Sequence, residues 1–424
     1  MDSLAIDTST YKPELEEVKR AAERISKVVV KTPLTTSFTY SKKYAANILF
    51  KREDLQQVRS YKIRGAYNKI ASLQPDQLSM GVICASAGNH AQGVAFACNK
   101  LEVKGIIYMP VTTPKQKIEQ TMMFGGEWVE VVLQGDTFDD AYKSAVLQGT
   151  RNKLVFIHPF DDEKVIEGQA TIALEILEQS EDPVDYIFAP VGGGGLLAGL
   201  SVIMKQLSPQ TRIIGVEPEG APSMSRSMEQ DSVVELEEID RFVDGAAVQK
   251  VGSRNFEICK DHIDEMVTVP EGKICQTILD LYNKDAIVIE PAGAMSIAIL
   301  DAYAEEIKGK NVVCIVSGSN NDITRTAEIK ERALLYAGLK HYFIVRFPQR
   351  AGALKEFAEQ ILGPDDDITH FEYSKRHHRE NGPAVVGIEL RNPEDLEPLI
   401  ARMKQKNFFG QYLNTNLDLF QFLI

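Results

Sequence analysis

The stretch Tyr186-Ile187-Phe188-Ala189-Pro190-Val191-Gly192-Gly193-Gly194-Gly195-Leu196 decides the fold class of this 424-residue chain. Its first part, 186–189, is apolar at every position, which predicts a β-strand covered on both faces. Four glycines follow, and residues 195–207 then carry apolar side chains at helical spacing. A buried strand, a glycine turn and a helix in this order form the repeating unit of a parallel α/β sheet.

The same alternation of short apolar runs and amphipathic segments extends from residue 14 to about residue 337. The strand-like runs are Ile48–Phe50, Val82–Ala85, Gly105–Tyr108, Trp128–Val132, Leu154–Ile157, Tyr186–Pro190, Arg212–Val216, Ala286–Ile289 and Val312–Val316. Helical periods occur near 14–27, 63–73, 89–99, 137–148, 162–179, 195–207 and 292–308. The segment from 55 to 330 is long for one sheet, so the pattern predicts two doubly wound α/β lobes with a cleft between them.

The pattern of elements changes after Gly338. The predicted elements are then a strand (His341–Phe347), a helix (Gly352–Leu362), two strands (Ile368–Tyr373 and Ala384–Leu390), a helix (Pro393–Lys406) and a strand (Leu413–Phe420). Residues 376–382 form the loop between the two central strands. The order βαββαβ predicts a ferredoxin-like α+β domain at the C-terminus.

Composition and charge exclude several classes of function. The net charge of −13 argues against nucleic acid or an anionic membrane surface as a partner. No apolar run reaches the roughly 18–20 residues that a membrane span needs, and the polar segment Met1–Lys12 lacks the apolar core of a signal peptide. Five scattered cysteines without C-x-x-C spacing indicate a reducing, cytoplasmic environment. The histidines predict no metal site, since His377-His378 lie among cationic residues.

A single lysine is the strongest candidate for covalent chemistry. In the run Ser60-Tyr61-Lys62-Ile63-Arg64-Gly65-Ala66, Lys62 lies between an aromatic and an aliphatic residue at the start of an apolar-periodic segment. Desolvation lowers the pKa of an ammonium group and so prepares the amine as a nucleophile. Taken alone, Lys62 is more typical of a surface lysine at a helix start.

Two strand-to-helix turns are candidate anion sites. The turn Ser86-Ala87-Gly88-Asn89-His90 follows the predicted strand Val82–Ala85, and small residues there let backbone N–H groups approach a carboxylate. At the second turn, Gly192–Gly195, no Cβ would hold a phosphate away from the backbone. The turn at 192–195 also resembles the glycine-rich turn of a dinucleotide-binding site, which is followed by an acidic residue at the end of the next strand. Glu217 stands at such a position, about twenty residues later. A nicotinamide enzyme, however, would leave Lys62 and Asn89 without roles.

A third turn, Val316-Ser317-Gly318-Ser319-Asn320, follows another apolar strand. Together, the lysine run, the asparagine turn, the glycine turn and this serine turn resemble in order and spacing the tryptophan-synthase β-like family of pyridoxal phosphate (PLP) enzymes, fold type II. The resemblance implies a large PLP-binding lobe built from residues 1–54 and 154–337, and a small inserted lobe at 55–153.

The resemblance also implies the roles of the matching residues. Lys62 carries the cofactor and acts in catalysis, and Asn89 lies beside the ring oxygen of PLP. Ser317 lies beside the pyridine nitrogen. The phosphate is bound by Gly192, Gly193, Gly194, Gly195 and Leu196, and the substrate carboxylate by Ser86, Ala87, Gly88, Asn89 and His90.

Residues 338–424 resemble the ACT-like C-terminal domain of biosynthetic threonine dehydratases, in one copy. The matching runs are Phe347-Pro348-Gln349-Arg350-Ala351-Gly352-Ala353-Leu354 and Asp367-Ile368-Thr369 with Phe371-Glu372-Tyr373. This likeness implies conversion of L-threonine, and also of L-serine, with feedback inhibition by isoleucine, valine as a further effector, and a homotetramer. The effector would meet Gln349, Arg350 and Gly352; alternatively, the domain only assists assembly.

Related functions remain as alternatives. A serine-preferring dehydratase would use the same residues, whereas a threonine synthase would need a second phosphate site for its substrate. The chain could also be an amino-acid sensor that has kept this fold and lost catalytic activity. Racemisation is disfavoured because Ala87 replaces the serine that serves the opposite face of the substrate in serine racemases. Glu217 aligns with a cation site of those racemases, but Ser223 replaces a matching aspartate, so no bound metal is expected.

Overall fold

The computed structural model describes residues 11–373 and 381–415. The predicted loop with His377-His378 lies outside these residues, as does most of the predicted last strand. The chain forms two compact units, one ending at Asp322 and one beginning at Ile323. The domain boundary at 338 expected from the sequence stays a prediction. The lobe boundaries within the first unit stay a prediction.

The first unit alternates strands and helices along most of its length. Its strands are β1 (Leu34–Thr36), β2 (Asn47–Arg52), β3 (Val82–Ala85), β4 (Gly105–Met109), β5 (Val129–Leu133), β6 (Val155–Phe156), β7 (Tyr186–Pro190), β8 (Arg212–Pro218), β9 (Glu265–Val269) and β10 (Asn311–Val316). Its helices are α1 (Leu15–Ile25), α2 (Phe38–Tyr44), α3 (Lys62–Ala71), α4 (Pro75–Met80), α5 (Asn89–Leu101), α6 (Lys115–Gly125), α7 (Phe138–Asn152), α8 (Glu163–Gln179), α9 (Gly195–Leu207), α10 (Ser223–Glu229), α11 (Ser253–His262), α12 (Glu271–Asp285) and α13 (Pro291–Ala298).

Two sheets organise this unit, as the sequence predicted. The larger has the order β1-β2-β10-β7-β8-β9 and is parallel except for the edge strand β1. The smaller has the order β5-β4-β3-β6 and is parallel throughout. The expected strand Ala286–Ile289 is wrong. Ala286 ends α12 with φ of 54°, and the residues after it pair with no strand.

Small residues allow α3 to lie close to two other helices. A Cβ added to Gly65 would lie 2.8 Å from the carbonyl oxygen of Val165 in α8, and one on Gly168 would lie 2.6 Å from that of Arg64. A Cβ on Gly93 of α5 would meet the backbone of Lys62 at 3.2 Å. The glycine after Arg64 is therefore required for close helix packing.

Arg64 ties α3 to the larger sheet through a buried ionic network. Its guanidinium donates to both oxygens of Glu53 at 2.8 Å, and to the two oxygens of Glu175 at 2.7 and 2.8 Å. Lys51, also fully buried, donates to Glu175 at 2.6 Å. Burial would raise the pKa of Glu53, but the guanidinium holds it below the usual value. The network fixes the start of α3 relative to β2 and α8.

The second unit contains α14 (Thr326–Tyr336), β11 (Lys340–Pro348), α15 (Ala353–Gln360), β12 (Asp367–Tyr373), β13 (Asn381–Glu389), α16 (Leu396–Gln405) and β14 (Phe409–Tyr412). Its antiparallel sheet has the order β12-β13-β11-β14. Phe357 of α15 and Met403 of α16 pack with Phe343 of β11 in one core. The ferredoxin-like prediction is confirmed, with β14 as the last strand of the described sheet.

Within the described ranges, every helix is too short or too polar to cross a membrane.

Replacing Arg64 should destabilise the first unit strongly. Arg64→Met leaves the carboxylate of Glu53 buried without its partner, which typically costs about 3–5 kcal/mol. Urea unfolding followed by the fluorescence of Trp128, the one tryptophan of the chain, measures this unit. Arg226→Ala, which breaks an exposed pair with Glu229, should change the free energy of unfolding by less than about 1 kcal/mol. Equal effects of the two substitutions would contradict the importance of the network.

Candidate active site

The site lies where the turns after β7, β3 and β10 meet the first residue of α3. One cavity is lined by Tyr61, Lys62, Phe160, Pro190, Gly192, Gly193, Gly194, Gly195, Leu196 and Gly245. The backbone N–H of Tyr61 donates to Ser317 O at 3.2 Å, which joins the lysine run to the serine turn. The lysine and all four glycines therefore border the same space.

Lys62 presents an amine with a lowered pKa. It is the first residue of α3, and its Nζ donates to the carbonyl oxygen of Pro159 at 2.9 Å. Nζ also lies 5.3 Å from the centre of the Tyr61 ring. Burial lowers the pKa of Lys62 to about 8, although the negative charge of Glu290 acts to raise it. An appreciable fraction of this amine is thus unprotonated near neutral pH.

The glycine turn, residues 192–195, forms a cradle in which side chains would collide with neighbouring residues. Gly194 has φ of 89°, which favours glycine, and α9 begins at Gly195. A Cβ on Gly193 would lie 2.2 Å from the ring of Phe160, and one on Gly192 would lie 2.9 Å from Ala246. The N-terminus of α9 adds a favourable potential for an anion. The cradle fits a phosphate group.

Residues that the sequence analysis missed hold this cradle in place. Asn255 donates from Nδ2 to the carbonyl oxygens of Gly193 and Phe160 at 2.7 and 3.1 Å. Asp161 accepts the backbone N–H groups of Ser253 and Arg254 at 3.0 and 3.1 Å. These contacts join residues that lie between 62 and 95 positions apart in sequence, so no local motif predicts them.

The asparagine turn joins β3 to α5 and borders open space. The N–H of Gly88 donates to Ser86 Oγ at 3.2 Å, and a Cβ on Gly88 would meet no atom within 4 Å. His90 is buried, with Nε2 bonded to the carbonyl oxygen of Ile157 at 2.9 Å. Burial lowers the pKa of His90 to about 3, so its ring is neutral. Only the backbone of His90 is available to a ligand.

Glu290 connects the asparagine and serine turns. The buried carboxylate accepts Asn89 Nδ2 at 2.7 Å and the N–H of Asn320 at 3.1 Å. The N–H of Glu290 donates to Gly318 O at 3.2 Å, beside the buried Ser317. Glu290 was not among the residues predicted from the sequence. The sequence signal that could have identified Glu290 is an acidic residue placed between an apolar run and Pro291.

Glu217 caps a helix. Its oxygens accept the backbone N–H groups of Met224 and Ser225 at 2.6 and 2.8 Å, at the start of α10. Burial raises the pKa of Glu217 to about 7. Among the described residues, no group of His, Cys, Asp and Glu side chains could hold a metal ion.

The predicted effector residues lie together in the second unit. Gly352 has φ of 82° and precedes α15, and the N–H of Arg350 donates to Pro348 O at 2.8 Å. The guanidinium of Arg350 pairs with Glu356. Gln349 Nε2 is buried and has no hydrogen-bond partner among residues 11–373 and 381–415. An unpaired amide and a helix N-terminus therefore lie at the same end of this sheet.

Comparison with known proteins matches both parts of the chain. Residues 25–318 match the family of pyridoxal-phosphate dependent enzymes, and residues 331–423 match the C-terminal regulatory domain of threonine dehydratase. The biosynthetic L-threonine dehydratase IlvA of Halalkalibacterium halodurans is 54% identical over 97% of this chain and 100% of that protein.

Solved structures show the same likeness. A processed form of threonine deaminase isoform 2 from Solanum lycopersicum has a TM-score of 0.71 and 42% identity, over 76% of this chain and 95% of that one. Maize serine racemase has a TM-score of 0.71 and 27% identity, over 77% of this chain and 99% of that one. On the near full-length identity and the match of both domains, the chain belongs to the biosynthetic L-threonine dehydratase family of pyridoxal-phosphate dependent enzymes.

Proposed function

We propose that this protein dehydrates and deaminates L-threonine to 2-oxobutanoate and ammonia, the first committed step toward isoleucine, with pyridoxal phosphate as cofactor. The observation that carries the proposal is that Lys62 Nζ and the cradle Gly192–Gly195 border one cavity in a chain with near full-length dehydratase relatives. A cytoplasmic homotetramer that also accepts L-serine is part of the proposal and rests on the family resemblance alone.

The residues present fit the cofactor. The cradle and Leu196 would hold its phosphate, Lys62 would carry it, Asn89 would meet its ring oxygen, and Ser317 would meet its pyridine nitrogen. When bound, the cofactor withdraws electrons from the amino acid and so makes the α-proton acidic. The hydroxyl of Ser317 can hydrogen-bond a ring nitrogen but, unlike a carboxylate, does not hold it protonated. This favours elimination over transamination.

Lys62 and the asparagine turn would act on different groups of the substrate, the α-proton and the carboxylate. An amine with a pKa of about 8 is suited to accept the α-proton near neutral pH. The N–H groups of residues 86–90, at the N-terminus of the long helix α5, would hold the substrate carboxylate. Because Ala87 has no hydroxyl, no acid or base at that position faces the opposite side of the substrate. We therefore favour dehydration over the racemisation named for the maize relative.

Removing the Lys62 amine should end catalysis and leave the fold in place. Lys62→Ala lowers turnover of L-threonine to less than about one-hundredth of wild type, because the proton acceptor is lost. A keto-acid assay measures the rate, and circular dichroism checks the fold. The matched control is Lys69→Ala on the same helix, which pairs with Asp162 and should keep most of the activity. Wild-type turnover by Lys62→Ala would refute the proposed site.

The second unit would bind isoleucine and transmit inhibition to the catalytic unit, with valine as a second effector. The support is the match to a regulatory domain and the buried, unpartnered amide of Gln349 next to the start of α15. The effector carboxylate would accept hydrogen bonds from these groups, while apolar residues of β11 and β12 would meet its side chain. Coupling between such sites is typically about 1–3 kcal/mol.

Truncating Gln349 should weaken inhibition without harming catalysis. Gln349→Ala removes one hydrogen bond to the effector, worth about 1 kcal/mol, so half-inhibition should require about five times more isoleucine. The measurement is an isoleucine titration of the full-length protein at subsaturating threonine. Lys355→Ala, on the exposed side of α15, serves as control. If wild type and Gln349→Ala respond alike, Gln349 does not bind the effector.

A further inference from the structure

Glu290 binds one end of the Asn89 amide and leaves the other end without a partner among the described residues. The buried carboxyl accepts Asn89 Nδ2 on Oε1 and the backbone N–H of Asn320 on Oε2. Asn89 Oδ1 is buried, and no described residue gives it a hydrogen bond. Because Oδ1 and Nδ2 lie on opposite sides of Cγ, whichever atom meets Glu290 determines which atom Asn89 offers to a ligand.

Which atom of the Asn89 amide meets Glu290 depends on whether the Glu290 carboxyl is protonated. An ionised carboxylate only accepts, so it requires Nδ2 and leaves Oδ1, an acceptor, for the ligand. A protonated carboxyl must donate its O–H, and a half-turn of the amide brings Oδ1 to it. The oxygen bonded to Asn320 stays an acceptor in both states. The protonated state therefore leaves Nδ2, a donor, for the ligand.

The groups around Glu290 place its protonation, and with it the turn of the Asn89 amide, near neutral pH. Burial, together with the carboxylate of Asp244, raises the pKa of Glu290 to about 7, and Lys117 of α6 opposes the rise. Tyr61 and Lys62, at the start of α3, also interact electrostatically with Glu290. Lys117 and Asp244 are themselves paired at 2.5 Å.

We propose that Glu290 is a positioning residue whose proton decides whether Asn89 offers a hydrogen-bond donor or an acceptor to the cofactor. This inference rests on the proposed pyridoxal phosphate site. An ionised ring oxygen of the cofactor needs a donor, so the cofactor selects the state in which Glu290 is protonated. Its non-covalent affinity then falls as pH rises through the pKa of Glu290, by at most about tenfold per pH unit.

The test uses pyridoxine phosphate, which lacks the aldehyde and cannot react with Lys62. Its dissociation constant is measured by calorimetry across the pKa of Glu290 for the full-length wild type and for Glu290→Gln. The glutamine amide donates to Asn89 Oδ1 at every pH, so the affinity of wild type relative to the variant should fall as pH rises. Glu217→Gln, which alters another buried glutamate with a raised pKa, should follow wild type.

Two further variants do not depend on how well Glu290→Gln folds. Asp244→Asn removes a like charge and should move the midpoint of the wild-type pH curve lower, whereas Lys117→Met removes an opposite charge and should move it higher. Parallel pH curves for wild type and Glu290→Gln, or midpoints that do not move in these directions, would overturn the inference. Absence of pyridoxine phosphate binding by every protein at every pH would instead refute the proposed cofactor site.

Discussion

The buried guanidinium of Arg64 is the interaction on which the geometry of the site depends. It binds Glu53 and Glu175 at once, so it joins α3 to the end of β2 and to α8. Lys62 lies two residues before Arg64, at the start of the same helix, and its amine meets the carbonyl oxygen of Pro159. A fixed α3 therefore keeps the amine beside the glycine cradle. Such buried networks are costly when one partner is lost.

The same burial sets the acid–base properties of the site. Desolvation lowers the pKa of Lys62 to about 8 and raises that of Glu290 to about 7. An amine and a carboxyl that lie far apart on the pKa scale in water thus titrate close together here. This suits an enzyme that moves protons near neutral pH, since a group is most effective when its pKa is near the working pH.

Local patterns in the sequence predicted only those candidate site residues that lie within one turn. Lys62, the asparagine turn, Gly192–Gly195 and Ser317 each follow from a strand or helix end beside small residues. Glu290 and Asn255 could not be predicted in this way, because their partners lie about sixty to two hundred residues away in sequence. The wrong strand at 286–289 has a related cause. The run is apolar, but Ala286 ends α12 in a left-handed conformation, Val288 is exposed and no neighbouring strand pairs with the segment.

The central claim is that Lys62 is the residue that carries the cofactor. The direct measurement is borohydride reduction of the holoenzyme, followed by proteolysis and mass spectrometry of the labelled peptide. The account predicts the reduced cofactor on Lys62 alone. Lys51 is an internal comparison, because it is fully buried but bonded to Glu175 and Thr32. Label on Lys51, or on any lysine other than Lys62, would contradict the account.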